Sequence, residues 1–342
     1  MEVIKRAFFT EMEVEDRSHI AFIKRQVNAD LADHGISLQQ AAKVDLVIAE
    51  LATNIIKHAG FGKLLYRISK KASEIVFEMY SLDNGPGSDN MQKKVQDGVS
   101  SSNTLGHGLG SIKRLSRDFH IYSAKNWGTV VYCKVVVSGP EVIDSRKPTV
   151  DMGAVQVCYP GEKICGDAYA VRKVEKGYLI FVGDGLGHGF NAHHAVKLAL
   201  EIFDSTRSVD PVVILTDMNR HVKDSRGLVA SVIYLNMTDA KMSVCGVGNI
   251  SVRVVNGLAY KSFISYNGII GANFPRTIVN STYDLCKYDI LVVNSDGIQS
   301  KWNLNAMPSI LKYDANIIAS AIYKSYARNN DDMTVFTAKI SI

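Results

Sequence analysis

The spacing of hydrophobic and polar positions changes several times along the chain, and each change marks an element. In LQQAAKVDLVIAELATNIIKHAG the apolar residues Val44, Val47, Ile48, Leu51 and Ile55 recur every three or four positions. That period predicts an amphipathic helix, with Gly60 as its natural stop. VEDRSHIAFIKRQVNADLADHG has the same spacing and predicts a helix ending at Gly35. LLYRISKKASEIVFEMYSLDNG reads as the two strands of a hairpin and SIKRLSRDF as a short helix. GTVVYCKVVV, rich in β-branched residues, reads as a closing strand.

SGPEVIDSRKP, residues 138–148, combines Gly, two Pro and mixed charge and predicts a linker. Strand patterns dominate beyond it: GAVQVCYPG, YAVRKVEKGYLIFVGDG, LVASVIYLNMTDAKMSVCGVG, SVRVVNG and DILVVNSDG, with AHHAVKLALEIFDS helical. The expectation is two domains, a mixed α/β unit over 1–137 and an α/β sandwich of mainly antiparallel strands over 149–342. A length of 342 residues with 46% hydrophobic and 21% charged residues suits two packed cores. The net charge of +5 comes from scattered residues without a basic tract, so no nucleic-acid partner is expected. Five cysteines without a C-x-x-C argue for reduced thiols, not a disulfide or zinc framework. The sequence has no signal-peptide core and no apolar run near the ~20 residues of a membrane span. A cytoplasmic location and no membrane partner follow as expectations.

Candidate chemistry falls into two groups. On the second helix, Glu50 and Asn54 are four apart and share one face, with His58 one turn on. A carboxylate beside a carboxamide suits an Mg²⁺–phosphate site, although such a pair also suits a solvated face. In MYSLDNGPGSDN a strand ends at Asp83, followed by Gly85 and Gly87. That carboxylate can accept from an exocyclic amine while the glycines admit a flat base, or the stretch can be a plain turn. In SSSNTLGHGLGSIKRL, Gly106, Gly108 and Gly110 are expected in a loop directly before a helix, where backbone N–H groups cradle phosphate. Gly128-Thr129 opens the closing strand.

Taken in order, E-x-x-x-N, D-x-G-x-G, G-x-G-x-G before a helix and G-T resemble the GHKL (Bergerat-fold) ATPases. The compact form is similar to the anti-sigma-factor-type serine kinases, RsbT/RsbW-like. The resemblance implies a two-layer α/β sandwich that binds ATP with Mg²⁺. By it, Glu50 is the catalytic base, Asn54 the Mg²⁺ ligand and Asp83 the adenine contact. Gly85 and Gly87 flank the base, Gly106, Gly108 and Gly110 form the phosphate lid, and Thr129 completes the nucleotide set. It implies as substrate a Ser or Thr of a STAS-domain protein, with a sigma factor or stressosome as the wider assembly. The alternative reading is a nucleotide-binding docking module without kinase activity that regulates the rest of the chain. A homodimer is compatible with either, and nothing in the sequence decides it.

The second group is acidic: Asp167 in ICGDAYAV, Asp184 in YLIFVGDGLGHG, Asp296 in DILVVNSDGIQS, and Asp331 with Asp332 in NNDDMTVFTAKI. An apolar run that stops at Asp-Gly places a carboxylate at a sheet end. Carboxylates converging without His or Cys suit hard ions, and a pair of such ions suits in-line attack on a phosphoester. Each Asp-Gly alone is also an ordinary strand-ending turn. The series G-D, D-G-x-G-H-G, S-D-G, D-D-x-T resembles the PPM protein phosphatases of the SpoIIE/RsbX branch, with Cys165 where that branch commonly has Gly. The resemblance implies an α-β-β-α sandwich holding two Mn²⁺ or Mg²⁺ through Asp167, Asp184, the Gly185 carbonyl, Asp296 and Asp331. Asp184 is then catalytic and Asp331 is preferred over Asp332 as ligand. His188 can orient substrate or pack within its loop. Together the two resemblances imply a bifunctional partner-switching regulator.

Overall fold

The computed structural model describes residues 3–5, 8–71, 74–89, 91, 105–140 and 149–341. The chain divides into two compact units. One gathers Phe9–Lys147 and Ala306–Tyr313; the other gathers Met1–Phe8, Pro148–Asn305 and Asp314–Ile342. The division therefore does not follow a single cut. The strand β1 (Val3–Lys5) pairs by its backbone with residues 170–172 of the second unit, and three residues carry no pattern that could announce such a partner. Of the expected linker, residues 141–148 lie outside the described residues.

The first unit runs β2 (Thr10–Val14), α1 (Arg17–Asp33), α2 (Leu38–His58), β3 (Gly62–Lys71), β4 (Glu74–Asp83), α3 (Leu105–Leu115), β5 (Asp118–Ala124) and β6 (Gly128–Ser138). Its five strands form a wholly antiparallel sheet in the order β2-β3-β4-β6-β5. Capping boxes at Asp16 and Ser37 start α1 and α2. The predicted stripe Val44, Val47, Ile48, Leu51 and Ile55 is buried, together with Ile23, Val27 and Leu31 of α1. It packs on Leu64, Tyr66, Phe77, Met79, Val131 and Cys133 of the sheet, which gives the two-layer sandwich.

One element departs from expectation. The short helix runs over Leu105–Leu115, and Asp118–Ala124 is a strand where SIKRLSRDF had suggested more helix. The Ser116 hydroxyl donates to the Ile112 carbonyl at 2.7 Å, and β5 then pairs with β6 along its length. Pairing decides this stretch, because its own pattern is too short to choose a period.

The second unit continues with β7 (Val150–Val157), β8 (Asp167–Val174), β9 (Gly177–Gly185), α4 (Phe190–Ser205), α5 (Pro211–His221), β10 (Leu228–Asn236), β11 (Lys241–Val247) and β12 (Ser251–Asn256). β13 (Ala259–Phe263), β14 (Ser281–Asp284), β15 (Ile290–Asn294), α6 (Ala315–Tyr326) and β16 (Met333–Ile340) complete it. One sheet has the order β1-β8-β9-β10-β11-β14, the other β13-β12-β15-β16-β7. Along β9, Ile180 and Val182 face the second sheet, while Leu179 and Phe181 face α4 and α5. A strand buried on both faces reads as a continuous apolar run, which is why YLIFV lacks alternation. α6 packs on β7 and β16, so the order of layers is α-β-β-α. α5 opens on the Asp210 cap with Pro211 at its first turn, and α6 is buried along most of its length. α6 was not foreseen, although Ile317, Ile318, Ala321 and Ile322 recur at helical spacing.

Within the first unit, Arg67 and Glu78 are buried at 2% and 7% exposure and form a two-point ion pair across β3 and β4, with both N–O distances 2.9 Å. The Tyr132 hydroxyl donates to Glu78 at 2.8 Å, and the guanidinium lies 4.3 Å from the centre of the Phe9 ring. Removing one partner of such a pair strands the other charge. Glu78→Ala is expected to cost about 3–5 kcal/mol by urea unfolding. A loss under about 1 kcal/mol, the range of an exposed pair, would refute the buried-pair account.

Candidate functional sites

In the first unit a cleft of about 250 Å³ opens between α2, α3 and the ends of β4 and β6. Asn54, Asp83, Gly85, Gly87 and Thr129 line it, with Leu51, Leu109, Ile121 and Val131 as apolar wall. Asp83 Oδ1 accepts from the N–H of Gly85 at 2.9 Å and of Thr129 at 3.2 Å, so the last residue of β4 is fixed against the start of β6. Gly128, at φ +107°, is needed there because a Cβ would fall on the Asp83 carbonyl. Ser123 links Thr129 at 3.0 Å to the Ser88 N–H at 2.9 Å. Ser81, Ser88 and Ser123 had no sequence signal; register sets Ser81 opposite Val131 and Ser123 opposite Thr129, and a hydrogen bond from the Ser88 backbone ties that loop to Ser123. His58 also lines the cleft, its pKa lowered by burial and by Lys57 against the opposing pull of Asp83.

The glycine-rich stretch is corrected in position. Gly106, Gly108 and Gly110 are not in a loop ahead of the helix; they occupy the first two turns of α3 itself. Residues 92–104, directly before α3, lie outside the described residues. A Cβ at Gly108 would fall on the Glu50 carboxylate, so the glycine lets the start of α3 close onto α2 at that point. The free N–H groups of a helix start are retained by this placement. Glu50 thus sits at the α3 N-terminus, one turn from Asn54.

In the second unit the carboxylates meet at one end of the sandwich. β8 begins at Asp167 and β9 ends at Asp184–Gly185, and the register pairs Asp167 directly with Asp184. In the facing sheet Asp296 follows the end of β15, and Asp331 precedes the start of β16, its antiparallel neighbour. The Ser295 hydroxyl donates to Asp167 Oδ2 at 2.6 Å and joins the two sheets. Asn249 donates to Asp296 at 2.8 Å. A Cβ at Gly185 would strike the backbone of Ala192, so α4 can approach the strand end only over a glycine. Neither Ser295 nor Asn249 was foreseen; Ser295 lay inside the S-D-G stretch, and Asn249 had no signal.

Burial, followed by the charges of Asp167, Asp296, Asp331 and Asp332, pushes the Asp184 carboxyl up to about 10. Burial pushes Asp167 up to about 8, against the pull of the Ser295 hydrogen bond. Asp331 is raised by burial and by Asp296 and Asp332. Asp167 Oδ1 and Asp296 Oδ1 are buried without a hydrogen-bond partner. Crowded, under-bonded carboxylate oxygens without His or Cys among them fit hard divalent cations. Asp332 differs: Oδ1 accepts from the Tyr159 N–H at 2.8 Å and Oδ2 from the Gly166 N–H at 2.9 Å. Its oxygens therefore brace the loops, and Asp331 is the member of the pair left to face the cluster. His188 stacks on Tyr159 at 4.5 Å and contacts Glu162 at 3.0 Å; its charge lowers the Asp331 pKa.

A cleft bounded by glycine and floored by aspartate in one unit, and a carboxylate cluster closing a double-sheet sandwich in the other, set the class of this protein. It is a metal-dependent protein serine/threonine phosphatase joined to an ATPase-type domain. Residues 14–134 match the family described as histidine kinase-like ATPase domain, and residues 175–341 match stage II sporulation protein E (SpoIIE). In its first part the chain belongs to the RsbT-like histidine kinase-like ATPases, and its second part is similar to the SpoIIE phosphatases. It is 34% identical over 112 residues to serine/threonine-protein kinase RsbT of Bacillus subtilis, covering 31% of this chain and 81% of the relative. It is 24% identical over 185 residues to phosphoserine phosphatase RsbX of the same organism, covering 53% of this chain and 90% of the relative. A solved chain from work on the bacterial stressosome as a modular system controlling secondary messenger signalling aligns at TM-score 0.53 and 28% identity, over 56% of this chain and 100% of that one. Among the described residues, no helix is long and apolar enough to cross a membrane.

The two roles assigned to Asp331 and Asp332 separate in the metal-free protein. Asp332→Asn turns one accepting oxygen into a donor facing an N–H, and is expected to cost about 1–3 kcal/mol. Asp331→Asn relieves like-charge repulsion and is expected to leave stability unchanged or raise it. Urea unfolding with a chelator present measures both, and equal losses would refute the division.

Proposed function

We propose that the chain is a bifunctional partner-switching regulator. Its first domain, expected over residues 1–137 and compact from Phe9 onward, phosphorylates a Ser or Thr of a STAS-domain protein with ATP and Mg²⁺. Its second, residues 149–342 beyond the 138–148 linker, removes phosphate from phosphoserine or phosphothreonine. Both act in the cytoplasm, on a partner tied to a sigma factor or a stressosome. The observation that carries the reading is the presence in one chain of the Asn54–Asp83 cleft beside Glu50 and of the Asp167, Asp184, Asp296, Asp331 cluster. The relatives named for a serine/threonine kinase and a phosphoserine phosphatase support the pairing of activities.

In the kinase half, Asp83 holds the adenine amine, with Gly85 and Gly87 beside the base. Glu50 accepts the proton of the attacking hydroxyl and Asn54 supplies an amide oxygen for Mg²⁺. Gly106, Gly108, Gly110 and Thr129 complete the nucleotide set, Gly106 through its N–H in the first turn of α3 and the other two glycines by keeping that end of the helix free of side chains. In the phosphatase half, Asp167, Asp184, the Gly185 carbonyl, Asp296 and Asp331 hold two Mn²⁺ or Mg²⁺. When bound, these ions stabilise charge on the phosphoryl oxygens and ease deprotonation of water. Asp184, paired to Asp167 across the strands, would hold the ions together with it. His188 orients the phosphoester at the rim.

Two variants test the halves separately. Glu50→Ala is expected to abolish transfer from labelled ATP to a STAS-domain protein while nucleotide binding persists. If the intact chain with ATP and Mg²⁺ labels no STAS protein, the kinase half fails and the docking-module reading takes its place. Asp184→Asn is expected to lower Mn²⁺-dependent hydrolysis of p-nitrophenyl phosphate by at least about 100-fold, the size of losing a main electrostatic element. Equal rates in the two proteins would end the metal mechanism.

A further inference from the structure

Directly behind the carboxylate cluster lies a group that the phosphatase chemistry does not use. The sulfurs of Cys158 and Cys165 and a carboxylate oxygen of Asp332 all lie within 4.8 Å of one another. The three residues are 7%, 1% and 1% exposed, and both cysteines are free thiols. They arrive from separate places: Cys158 follows β7, Cys165 precedes Gly166 and Asp167, and Asp332 precedes β16. Sequence spacing showed no metal pattern, because C-x₆-C with a distant Asp matches no zinc signature.

We propose that Cys158, Cys165 and Asp332 form a binding site for a single thiophilic divalent cation of the Zn²⁺ class, distinct from the hard-ion carboxylate cluster. Two sulfurs and one oxygen are soft to borderline donors, whereas the neighbouring cluster is all oxygen. A tetrahedral Zn²⁺ with bonds of about 2.3 Å to sulfur and about 2.0–2.2 Å to oxygen spaces its donors by roughly 3.5–3.8 Å, within the observed spread. Both Asp332 oxygens already accept one N–H, and each keeps a second lone pair for an ion. The binding step balances as one divalent cation in and two thiol protons out, giving a bis-thiolate carboxylate site.

The site is coupled to the phosphatase centre by backbone. Asp332 holds the Gly166 N–H, the Gly166 carbonyl accepts from the Gly185 N–H at 3.1 Å, and Asp167 and Asp184 are the neighbours of those glycines. The Cys165 carbonyl also meets His193 of α4 at 3.0 Å. An ion that draws Asp332 toward the two sulfurs shifts the braces of Asp167, Asp184 and Asp331 together. A thiophilic ion here therefore acts as an inhibitor of the hard-metal phosphatase. This last consequence rests on the phosphatase reading; the binding itself does not.

Cd²⁺ as probe tests the binding on the full, reduced chain. We expect one equivalent with a sulfur-to-cadmium charge-transfer band in the wild type, in Asp184→Asn and in Cys286→Ser. We expect the band to vanish in the Cys158→Ala/Cys165→Ala double variant. X-ray absorption of the Zn²⁺-loaded wild type needs no variant and should show two sulfur neighbours. Added Zn²⁺ should lower Mn²⁺-supported hydrolysis by about tenfold, an outer-shell-sized effect, and by less than about twofold in the double variant. No band in the wild type, a band that survives in the folded double variant, or a zinc shell of nitrogen and oxygen alone overturns the proposal. So does a Cys158–Cys165 disulfide in the purified protein, seen as a loss of two hydrogens by mass.

Discussion

Burial of carboxylates crowded at one end of a β-sandwich, with their mutual repulsion added to it, is the constraint around which the second unit is built. Asp167 and Asp184 are placed opposite each other by strand register, which the backbone ladder enforces whatever their charges. Asp296 and Asp331 come from the matching end of the other sheet. Each has little of its own to stabilise it, and the raised pKa values of Asp167, Asp184 and Asp331 are the electrostatic expression of that. The surroundings offset the cost with a few directed bonds. Ser295 reaches across from one sheet to Asp167, Asn249 supports Asp296, and Asp332 ties two loops through their N–H groups. The apolar layers behind, from Ile180 and Val182 to Val293 and Phe336, keep the two sheets in the register that lets these bonds form.

The first unit meets a related problem by another route. Its cleft collects donors and glycine surfaces, with Asp83 pinned by two backbone N–H groups and α3 closed against Glu50 through Gly108. Both units use Gly-His-Gly, to different structural effect. LGHGLG opens α3 and is helical, with Gly108 allowing contact between two helices. GLGHGF keeps a loop, with Gly187 at φ +82° and Gly189 at φ +75°, so that β9 can turn sharply into α4. The same residues serve close helix packing in one place and a left-handed backbone in the other.

The long, strongly patterned elements were legible in the chain itself. The stripe from Val44 to Ile55 is the buried face of α2, and the apolar runs leading to Asp184 and Asp296 are interior strands that stop at one end of their sheets. So were the types of residue at both sites, because Asp-Gly after a buried strand and Glu four before Asn are local patterns with local reasons. Less legible was β5, too short to choose between helix and strand.

What the sequence determined, then, is everything carried by neighbours within a turn or a strand: helix stripes, caps, strand ends, and the identity of the carboxylates. Tertiary structure alone decided what depends on partners far along the chain. It set Asp331 apart from Asp332, since only the fold shows that Tyr159 and Gly166 claim the latter. It brought Ser295 to Asp167, Ser123 to Thr129, and Cys158 to Cys165 and Asp332. It also moved the glycines of LGHGLG from a loop into a helix. Periodicity reports which face of an element is buried, but not which distant residue shares that face, because the pairing of elements is set by the packing of the whole core.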